Sequence, residues 1–587
     1  MRLAIGTGIL LLTATLAQAE IAGHEIRLSQ STAVAKADTQ DSGASSSLPV
    51  ISGEGIGAFL AGRQAKLDGD TAVASSYFAR ALAEDPDNEW LVRRSFLLDV
   101  AAGRIDRALP LAQRVLNRYE QSPVANLVIS TDHIVNKRYG KAEALVDKAS
   151  ARGSMQLLAP LFRAWAAYGS DDVKRALARL KPLEKKKSFA PFHAYHKAML
   201  LGASGDPAGA LDALDALPDG VSLDLRSRLV YAALLEKRDG PDAAMAYLKG
   251  LTARYGENPV LRAYLYHGRP IAEAFPVTTA TDGLAEALYG AASALSRESV
   301  SDVSMIYLRL ALYVKPDMDV AQALLGDMLE EDGHWEEAIA AFGAISDDSP
   351  YKWAARIRSA WALDSVGRTD EAAVILREMS KERPDNLTTL ATLADMLRGH
   401  KRFEEAAKVY AETIERMETP GARHWSIFYA HGIALERTGR WEEGEKSLIK
   451  ALELNPDQPL VMNYLGYSWA DKKIRLPEAV AMIQKAVDLR PADGYVVDSL
   501  GWAYYQKGDY ETAVRHLERA AELRPEDPVI NDHLGDAYWH VGRRMESCFQ
   551  WRHALALDPD EETVPVIRAK MSKGLEPGAK DFRGCRF

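Results

Sequence analysis

NYLGYSWAD at 463–471, DSLGWAYY at 498–505 and HLGDAYW at 533–539 are three stretches that superpose on their Leu-Gly pairs. In each of them an aromatic side chain follows the glycine by three residues, and a small residue and then a proline follow further along the chain. The segment from Leu460 to Pro559 is therefore a tandem repeat. Its aromatic residues are Trp469, Tyr504 and Tyr538, its small residues are Ala479, Ala513 and Ser547, and its prolines are Pro491, Pro525 and Pro559.

The glycines Gly466, Gly501 and Gly535 set the repeat length, because they are 35 and then 34 residues apart. This period, with the order Leu-Gly, aromatic, small residue, bulky apolar residue and proline, resembles the tetratricopeptide repeat (TPR). The resemblance implies an all-α fold. It also implies a right-handed α-solenoid in which each repeat is a helix-turn-helix and the first helices form a concave wall.

The same phase continues through most of the chain and predicts about fourteen repeats in two arrays. Small side chains are expected where the two helices of a repeat cross, because a large side chain would overpack that contact. On the first helices this position falls at Gly62, Phe96, Ser130, Ala164, Ala198, Ala232, Ala292, Gly326, Ala360, Ala394, Gly432, Gly466, Gly501 and Gly535. On the second helices it falls at Ala74, Ala108, Ala142, Ala176, Ala210, Ala244, Ala311, Ala338, Ala372, Ala406, Gly444, Ala479, Ala513 and Ser547.

The amino terminus has the pattern of a bacterial secretory signal. Arg2 supplies a positive start, an uncharged apolar run extends from Leu3 to Leu16, and Ala17-Gln18-Ala19 is a small-x-small cleavage site. An uncleaved membrane anchor is the alternative, but the apolar run is short for a membrane span. We expect export to the periplasm and a mature chain that begins at Glu20, with membrane association only through partners.

The repeats and the loop-forming segments between them predict the domain organisation. A passage rich in Pro, Gly and Thr interrupts the repeat phase and separates the two arrays. The predicted segments are a signal peptide at 1–19, a flexible leader at 20–55, an N-terminal degenerate array at 56–252, a linker or irregular insertion at 253–282, a C-terminal array at 283–560, and a terminal helix with a tail at 561–587.

Charge and cysteine content limit the classes of function that the chain can have. The chain has 72 basic and 82 acidic residues and a net charge of −10. This balance argues against nucleic-acid binding, which normally uses a basic surface. Cys548 and Cys585 are the two cysteines. They either form a disulfide in an oxidising compartment or, in the case of Cys548, simply fill a buried position in a helix.

Catalytic and cofactor motifs are not evident in the sequence. No serine elbow, phosphate-binding loop or His-Glu-x-x-His motif occurs. His193 and His196 lie three residues apart, but no third metal ligand accompanies them. We therefore expect a non-enzymatic protein without a cofactor or metal.

The functional signal is instead the surface of the first helices in the C-terminal array. In the fold implied by the resemblance, one set of aromatic, amide and acidic side chains faces the concave groove. Such a set suits an extended peptide, since polar groups hold its backbone and aromatic rings bury its side chains. Stacking between repeats is the alternative role for the aromatic residues. The predicted partner-binding residues are Tyr429, Asn463, Tyr467, Tyr495, Asp498, Trp502, Tyr505, Asp532, Asp536 and Trp539.

The C-terminal third, in the three stretches quoted first, also resembles the bacterial TPR lipoproteins that act as adaptors for carboxyl-terminal processing proteases. The resemblance implies a periplasmic adaptor that binds such a protease and its substrates. The lipoproteins carry a lipidation cysteine, and this chain has none near Ala19. A structural component of an envelope export or polysaccharide-secretion assembly is the alternative function.

Overall fold

A computed structural model shows that the described part of the chain is all-α, with thirty α-helices, three short 3₁₀ helices and no strand. This confirms the predicted α-solenoid class. The chain divides into two compact units, the first of which ends at Ala372 while the second begins at Ala373. The predicted signal peptide and nearly all of the leader lie outside the described residues. The described residues are 55–148, 153–184, 186–217, 223–256, 258–266, 268–296, 301–575 and 584–585.

The first unit contains helices that alternate as first and second helices of successive repeats, except for α13, which lies between two repeats. They are α1 Gly55–Leu67, α2 Thr71–Glu84, α3 Glu89–Ala101, α4 Ile105–Arg118, α5 Pro123–Val135, α6 Tyr139–Lys148, α7 Met155–Gly169, α8 Val173–Glu184, α9 Ala190–Ala203, α10 Pro207–Asp215, α11 Leu225–Asp239, α12 Pro241–Tyr255, α13 Pro259–Tyr266, α14 Ala280–Ser296, α15 Ser301–Val314, α16 Asp319–Glu331, α17 Trp335–Gly343 and α18 Lys352–Ser365. The 3₁₀ helices here are Lys187–Phe189 and Ile271–Ala274.

Helix α19, Thr369–Glu382, contains the division between the two units. The second unit then continues with α20 Thr388–Gly399, α21 Phe403–Glu415, α22 Trp425–Arg437, α23 Trp441–Leu454, α24 Pro459–Asp471, α25 Leu476–Leu489, α26 Gly494–Lys507, α27 Tyr510–Leu523, α28 Pro528–His540, α29 Arg544–Ala556 and α30 Val564–Lys573, with a 3₁₀ helix at Ala422–His424. None of the helices within the described ranges is both long and apolar enough to cross a membrane.

Local sequence sets the helix ends within a repeat, as α26 and α27 show. Gly508 ends α26 with φ of 88°, a left-handed conformation that glycine adopts without steric cost. Asp509 then caps α27, because its carboxylate accepts a hydrogen bond from the Thr512 backbone N–H at 3.2 Å. These two adjacent residues make the tight turn between the helices of the repeat.

Small residues bring the two helices of each repeat together. A Cβ on Gly501 would lie 2.6 Å from Leu517 Cγ, and one on Gly535 would lie 2.6 Å from Trp551 Cδ1. Only glycine permits so close an approach. The residues predicted at the crossing points of the second helices are likewise buried, which confirms the repeat register. They are Ala74, Ala108, Ala142, Ala176, Ala210, Ala244, Ala311, Ala338, Ala372, Ala406, Gly444, Ala479, Ala513 and Ser547.

The side of a repeat set that is made by its first helices is called the first-helix face below. In the first unit this face is covered by the chain itself, since α14 packs against α5, α7 and α9, and α15 packs against α3 and α5. Glu286 of α14 accepts hydrogen bonds from Tyr195 at 3.1 Å and from Arg226 at 3.0 Å. Arg309 of α15 donates to the Ala101 carbonyl at 3.2 Å. The first array thus holds a helix pair of its own chain.

The segment predicted as a linker or irregular insertion, 253–282, contains helix α13 and the 3₁₀ helix Ile271–Ala274. The predicted terminal helix is present as α30. The other array boundaries concern the phase of the repeats rather than the division into compact units, and they stay predictions.

Candidate functional site

The ten residues predicted to bind a partner lie on the first helices α22, α24, α26 and α28. Tyr495 is exposed, with 48% of its surface accessible, while Asn463 and Tyr505 are half-buried. The other seven are buried, because neighbouring first helices and α30 cover them. Their part in partner binding stays a prediction. The buried residues are Tyr429, Tyr467, Asp498, Trp502, Asp532, Asp536 and Trp539.

Aromatic rings stack within α26 and between α28 and its neighbours α26 and α27. The Trp502 ring lies between Tyr505, at 4.7 Å between ring centroids, and His533, at 4.0 Å. His540 of α28 stacks on Tyr510 at 4.3 Å. Planar stacking at these distances stabilises the contact between repeats. Trp502 therefore has the alternative role of stacking between repeats, and Tyr505 keeps part of its surface in solvent, so that partner binding stays a prediction for it.

A buried cluster of charged side chains lies next to these stacked rings, towards the carboxyl end of the chain. His533 Nδ1 lies 3.0 Å from Asp498 Oδ1. Lys570 Nζ of α30 donates to Asp532 Oδ2 at 2.8 Å and to Asp536 Oδ2 at 2.7 Å. All five side chains are buried. Buried charges require partners of this kind, so the cluster fixes α26, α28 and α30 relative to one another.

Burial and neighbouring charges shift the pKa values of this cluster. Burial raises the pKa of Asp536 to about 6, against the opposing charge of Lys570. Burial by itself lowers the pKa of Lys570, but the carboxylates of Asp536 and Asp532 outweigh it and the net shift is upward. The pKa of His533 is also raised, because the Asp498 carboxylate outweighs the effect of burial. The imidazolium of His533 therefore persists to higher pH than a free one.

The carboxyl-terminal helix α30 covers the end of this face. The Trp551 indole N–H donates to Asp536 at 2.8 Å from the other side, and residues 530–539 of α28 are all buried. Cys548 of α29 and Cys585 form a disulfide with a Cα–Cα distance of 5.5 Å. The Cys585 backbone N–H donates to the Met571 carbonyl at 2.8 Å. Of the two alternatives for the cysteines, the structure has the disulfide.

The first-helix face is more accessible on α20 to α26 than on α28. On α20 to α26 this face has a row of half-buried polar and aromatic residues, whereas on α28 only the terminal residues are accessible. The open part of the face therefore lies over α20, α22, α24 and α26. Its half-buried residues are Asp395, Arg398, Glu436, Arg437, Asn463, Asp471, Tyr505 and Gln506.

Sequence reasoning missed Lys570 and His533 as members of the cluster. The repeat phase contained a signal for Lys570, because it follows Gly535 by 35 residues and so falls at the crossing position of one further first helix. A lysine at a buried crossing position requires an acidic partner. His533 carried no such signal, since its role depends on the neighbouring helix that places Asp498 beside it.

Many polar groups of this surface pair with one another, whereas Asn463 Oδ1, Trp502 Nε1 and His533 Nε2 are buried without a hydrogen-bond partner. In the described part of the chain, no group of three or more His, Cys, Asp and Glu side chains is placed to hold a metal ion. His196 Nδ1 accepts a hydrogen bond from the Trp165 indole at 3.1 Å, and His193 Nε2 lies 3.2 Å from Glu184 Oε1. The two histidines therefore have separate structural partners.

Comparison with known families identifies the repeats. Models of the tetratricopeptide repeat match residues 329–394 and 429–494, and a TPR repeat model matches residues 501–542. The chain therefore contains tetratricopeptide repeats, which are typically non-catalytic protein-interaction modules. These matches do not bear on the resemblance to protease adaptors, which stays a hypothesis.

A TPR repeat-containing protein of Pseudomonas aeruginosa is 28% identical over 200 residues, which are 34% of this chain and 33% of that protein. The match thus spans about a third of the length of that relative. Among solved structures, the Cut9–Hcn1 hetero-tetramer of the APC/C is similar with a TM-score of 0.35 and 15% identity, over 89% of this chain and 97% of that one.

YrrB, described as a TPR protein with an unusual peptide-binding site, is similar with a TM-score of 0.27 and 17% identity, over 32% of this chain and 96% of that one.

Proposed function

We propose that this chain is a non-enzymatic scaffold or adaptor that binds a segment of a partner protein on the open first-helix face over α20, α22, α24 and α26. One observation carries the proposal. The equivalent face of the first unit already holds the helix pair α14–α15 of the same chain. Repeats of this sequence are therefore able to bind helices on that face, and the second unit offers the same kind of surface with half-buried residues.

The chemistry of the open face suits a peptide or helix with apolar and polar side chains. Tyr495 and Tyr505 offer aromatic surface, and Asn463 offers an amide that pairs with peptide groups. The Arg524 guanidinium lies over the Tyr495 ring, 5.3 Å from its centroid, and orients that ring in solvent. Binding would bury these three side chains.

We further propose that the chain acts in the periplasm after cleavage of the signal peptide. The sequence of 1–19 supports export, and the Cys548–Cys585 disulfide supports an oxidising compartment. Cell fractionation tests this, together with amino-terminal sequencing of the purified chain. Cleavage at the expected site gives Glu20 as the first residue, and retention of Met1 contradicts the proposal.

The partner that we propose is a periplasmic carboxyl-terminal processing protease together with its substrates. The resemblance of the three repeat stretches to adaptors of such proteases supports this choice. A structural role in an envelope export or polysaccharide-secretion assembly is the second candidate. The two differ in what copurifies, because the adaptor recovers a protease and the structural part recovers an outer-membrane pore.

Affinity capture of the tagged chain from crosslinked envelope fractions tests the binding role. The variant pair Tyr495→Ala and Tyr505→Ala should lower recovery of the partner. Phe549→Ala is the matched control, because Phe549 is 46% exposed but lies on the second helix α29. Equal recovery with all three variants would contradict the assignment of this face. Recovery of no protein with the unaltered chain would contradict the binding role itself.

A further inference from the structure

Helix α30 is attached to the last repeat by few side chains. Within it Ile567 and Lys570 are buried, and Met571 and Leu575 pack partly buried against Trp539 and its neighbours. Apolar burial scales with area, so one fully buried aliphatic side chain is a small anchor for a helix of ten residues. The rest of the attachment is the partly buried Met571 and Leu575, the lysine and a covalent bond.

Lys570 occupies an acidic site that is formed by side chains of α28 and α29. Asp532 and Asp536 belong to α28, and the Trp551 indole N–H of α29 donates to the second carboxylate oxygen of Asp536 at 2.8 Å. Burying an ammonium beside carboxylates costs desolvation energy that hydrophobic packing would avoid. Such a contact fits an element that leaves, because the two carboxylates and the amine all regain water when α30 detaches.

The disulfide is the covalent part of the attachment. It joins Cys548, within α29, to Cys585, which lies 37 residues further along the chain. Cys585 is half-buried, so a thiol can approach it. Reduction by a dithiol breaks the Sγ–Sγ bond with two electrons and two protons. It yields two cysteine thiols here and a disulfide in the reductant.

We propose that the Cys548–Cys585 disulfide is a latch whose reduction releases α30 and opens Asp532, Asp536 and Trp539 as a docking site for a lysine-bearing helix of a partner protein. The proposal deepens the proposed binding role, on which the existence of a partner rests. The latch and its acidic site are tested below with a peptide, independently of any natural partner.

Helix α30 itself defines the chemistry of the occupant. The ligand places an apolar residue three positions before a lysine, as Ile567 precedes Lys570, so that both lie on one helix face. A small residue must follow the lysine, at the position where the chain passes Trp539. A Cβ on Gly574 would lie 2.3 Å from the Trp539 ring, and Gly574 has φ of 71°. Charge complementarity to the two aspartates selects a lysine over an acidic or neutral residue.

The test uses the full chain and a fluorescent peptide with the sequence VPVIRAKMSKGL of residues 564–575. Fluorescence anisotropy is measured with the oxidised chain and with the chain reduced by dithiothreitol. We expect the reduced chain to bind the peptide at least about tenfold more tightly, because the disulfide then no longer raises the effective concentration of α30 at the site. A peptide with the substitution Lys570→Gln should lose that binding, and one with Lys573→Gln should keep it.

Two further measurements test whether reduction of the disulfide releases α30. Hydrogen exchange of α28 should accelerate on reduction while that of α24 stays unchanged. Cys585→Ser should show the reduced behaviour without reductant, and its far-UV circular dichroism reports whether it folds. Equal peptide affinity in both redox states, or unchanged exchange of α28 on reduction, overturns the latch. Capture of a partner on α20–α26 in that case leaves the proposed function standing.

Discussion

Gly501 of α26 lies so close to Leu517 of α27 that a Cβ on the glycine would stand 2.6 Å from Leu517 Cγ. The same relationship holds between Gly535 and Trp551. In these two repeats the helices therefore touch at a point where an added methyl group would force them apart. Small residues recur at this contact with the period of the sequence.

Gly501→Ala should destabilise the second unit by about 1–3 kcal/mol, because the added methyl overpacks the crossing point. Urea unfolding followed by circular dichroism measures the change. Gly250→Ala is the matched control, since Gly250 lies within α12 and a Cβ there meets nothing within 4 Å. The control should be neutral or slightly stabilising. An equal effect of both substitutions would contradict the helix contact.

Lys570→Met should cost about 3–5 kcal/mol, because it leaves Asp532 and Asp536 buried without their cation. Chemical denaturation of the oxidised chain measures this cost. Lys573→Met is the control, as Lys573 lies in the same helix but is exposed. If both substitutions are silent, the lysine does not occupy the acidic site.

The free energy of unfolding should decrease as the pH falls, because His196 binds a proton more readily in the unfolded chain than in the folded one. Burial lowers the pKa of His196 to about 3, against about 6.5 for an unfolded histidine. Between these values only the unfolded chain binds the proton, so stability is lost as the pH falls from about 6.5 towards 3, by about 1.4 kcal/mol per pH unit. Denaturation midpoints measured across this range test it.

The variant His196→Gln removes this titration and keeps an acceptor for the Trp165 indole N–H. Its stability curve should therefore be flatter than that of the unaltered chain below pH 6.5, whatever other groups titrate in both. Parallel curves would show that His196 is protonated as readily in the folded chain as in the unfolded one.

Glu286→Gln should loosen the helix pair that covers the first-helix face of the first unit. Arg226 would lose its carboxylate, and Tyr195 would lose a charged acceptor. Hydrogen exchange of α9 and α14 should then accelerate. Glu273→Gln is the control, because Glu273 is half-exposed in its ion pair with Arg269. Unchanged exchange in α9 would show that Glu286 does not hold α14 in place.

The sequence was sufficient to predict the all-α fold and the repeat register. Close packing of the two helices requires small residues at the crossing point. Residues such as Ala513 and Gly535 recur at fixed intervals in the sequence because every repeat has the same crossing point. The terminal helix followed from the same phase. These features depend on residues within one repeat, so the sequence of that repeat is enough to predict them.

Interactions between distant parts of the chain were not predictable in this way. The covering of the first unit by α14 depends on pairs such as Tyr195 with Glu286, 91 residues apart. The burial of Asp532 and Asp536 depends on Lys570 of α30. A side chain on the first-helix face has the same sequence pattern whether solvent, a partner or the chain itself covers it.

The central claim is that the open first-helix face of the second unit binds a partner protein. A photo-crosslinking amino acid at Gln506, which is half-buried on that face of α26, tests it directly in intact cells. Arg515, exposed on the second helix α27, is the control position. The account predicts one protein crosslinked from position 506 and absent from position 515. The same crosslinked proteins at both positions, or none at position 506, would contradict it.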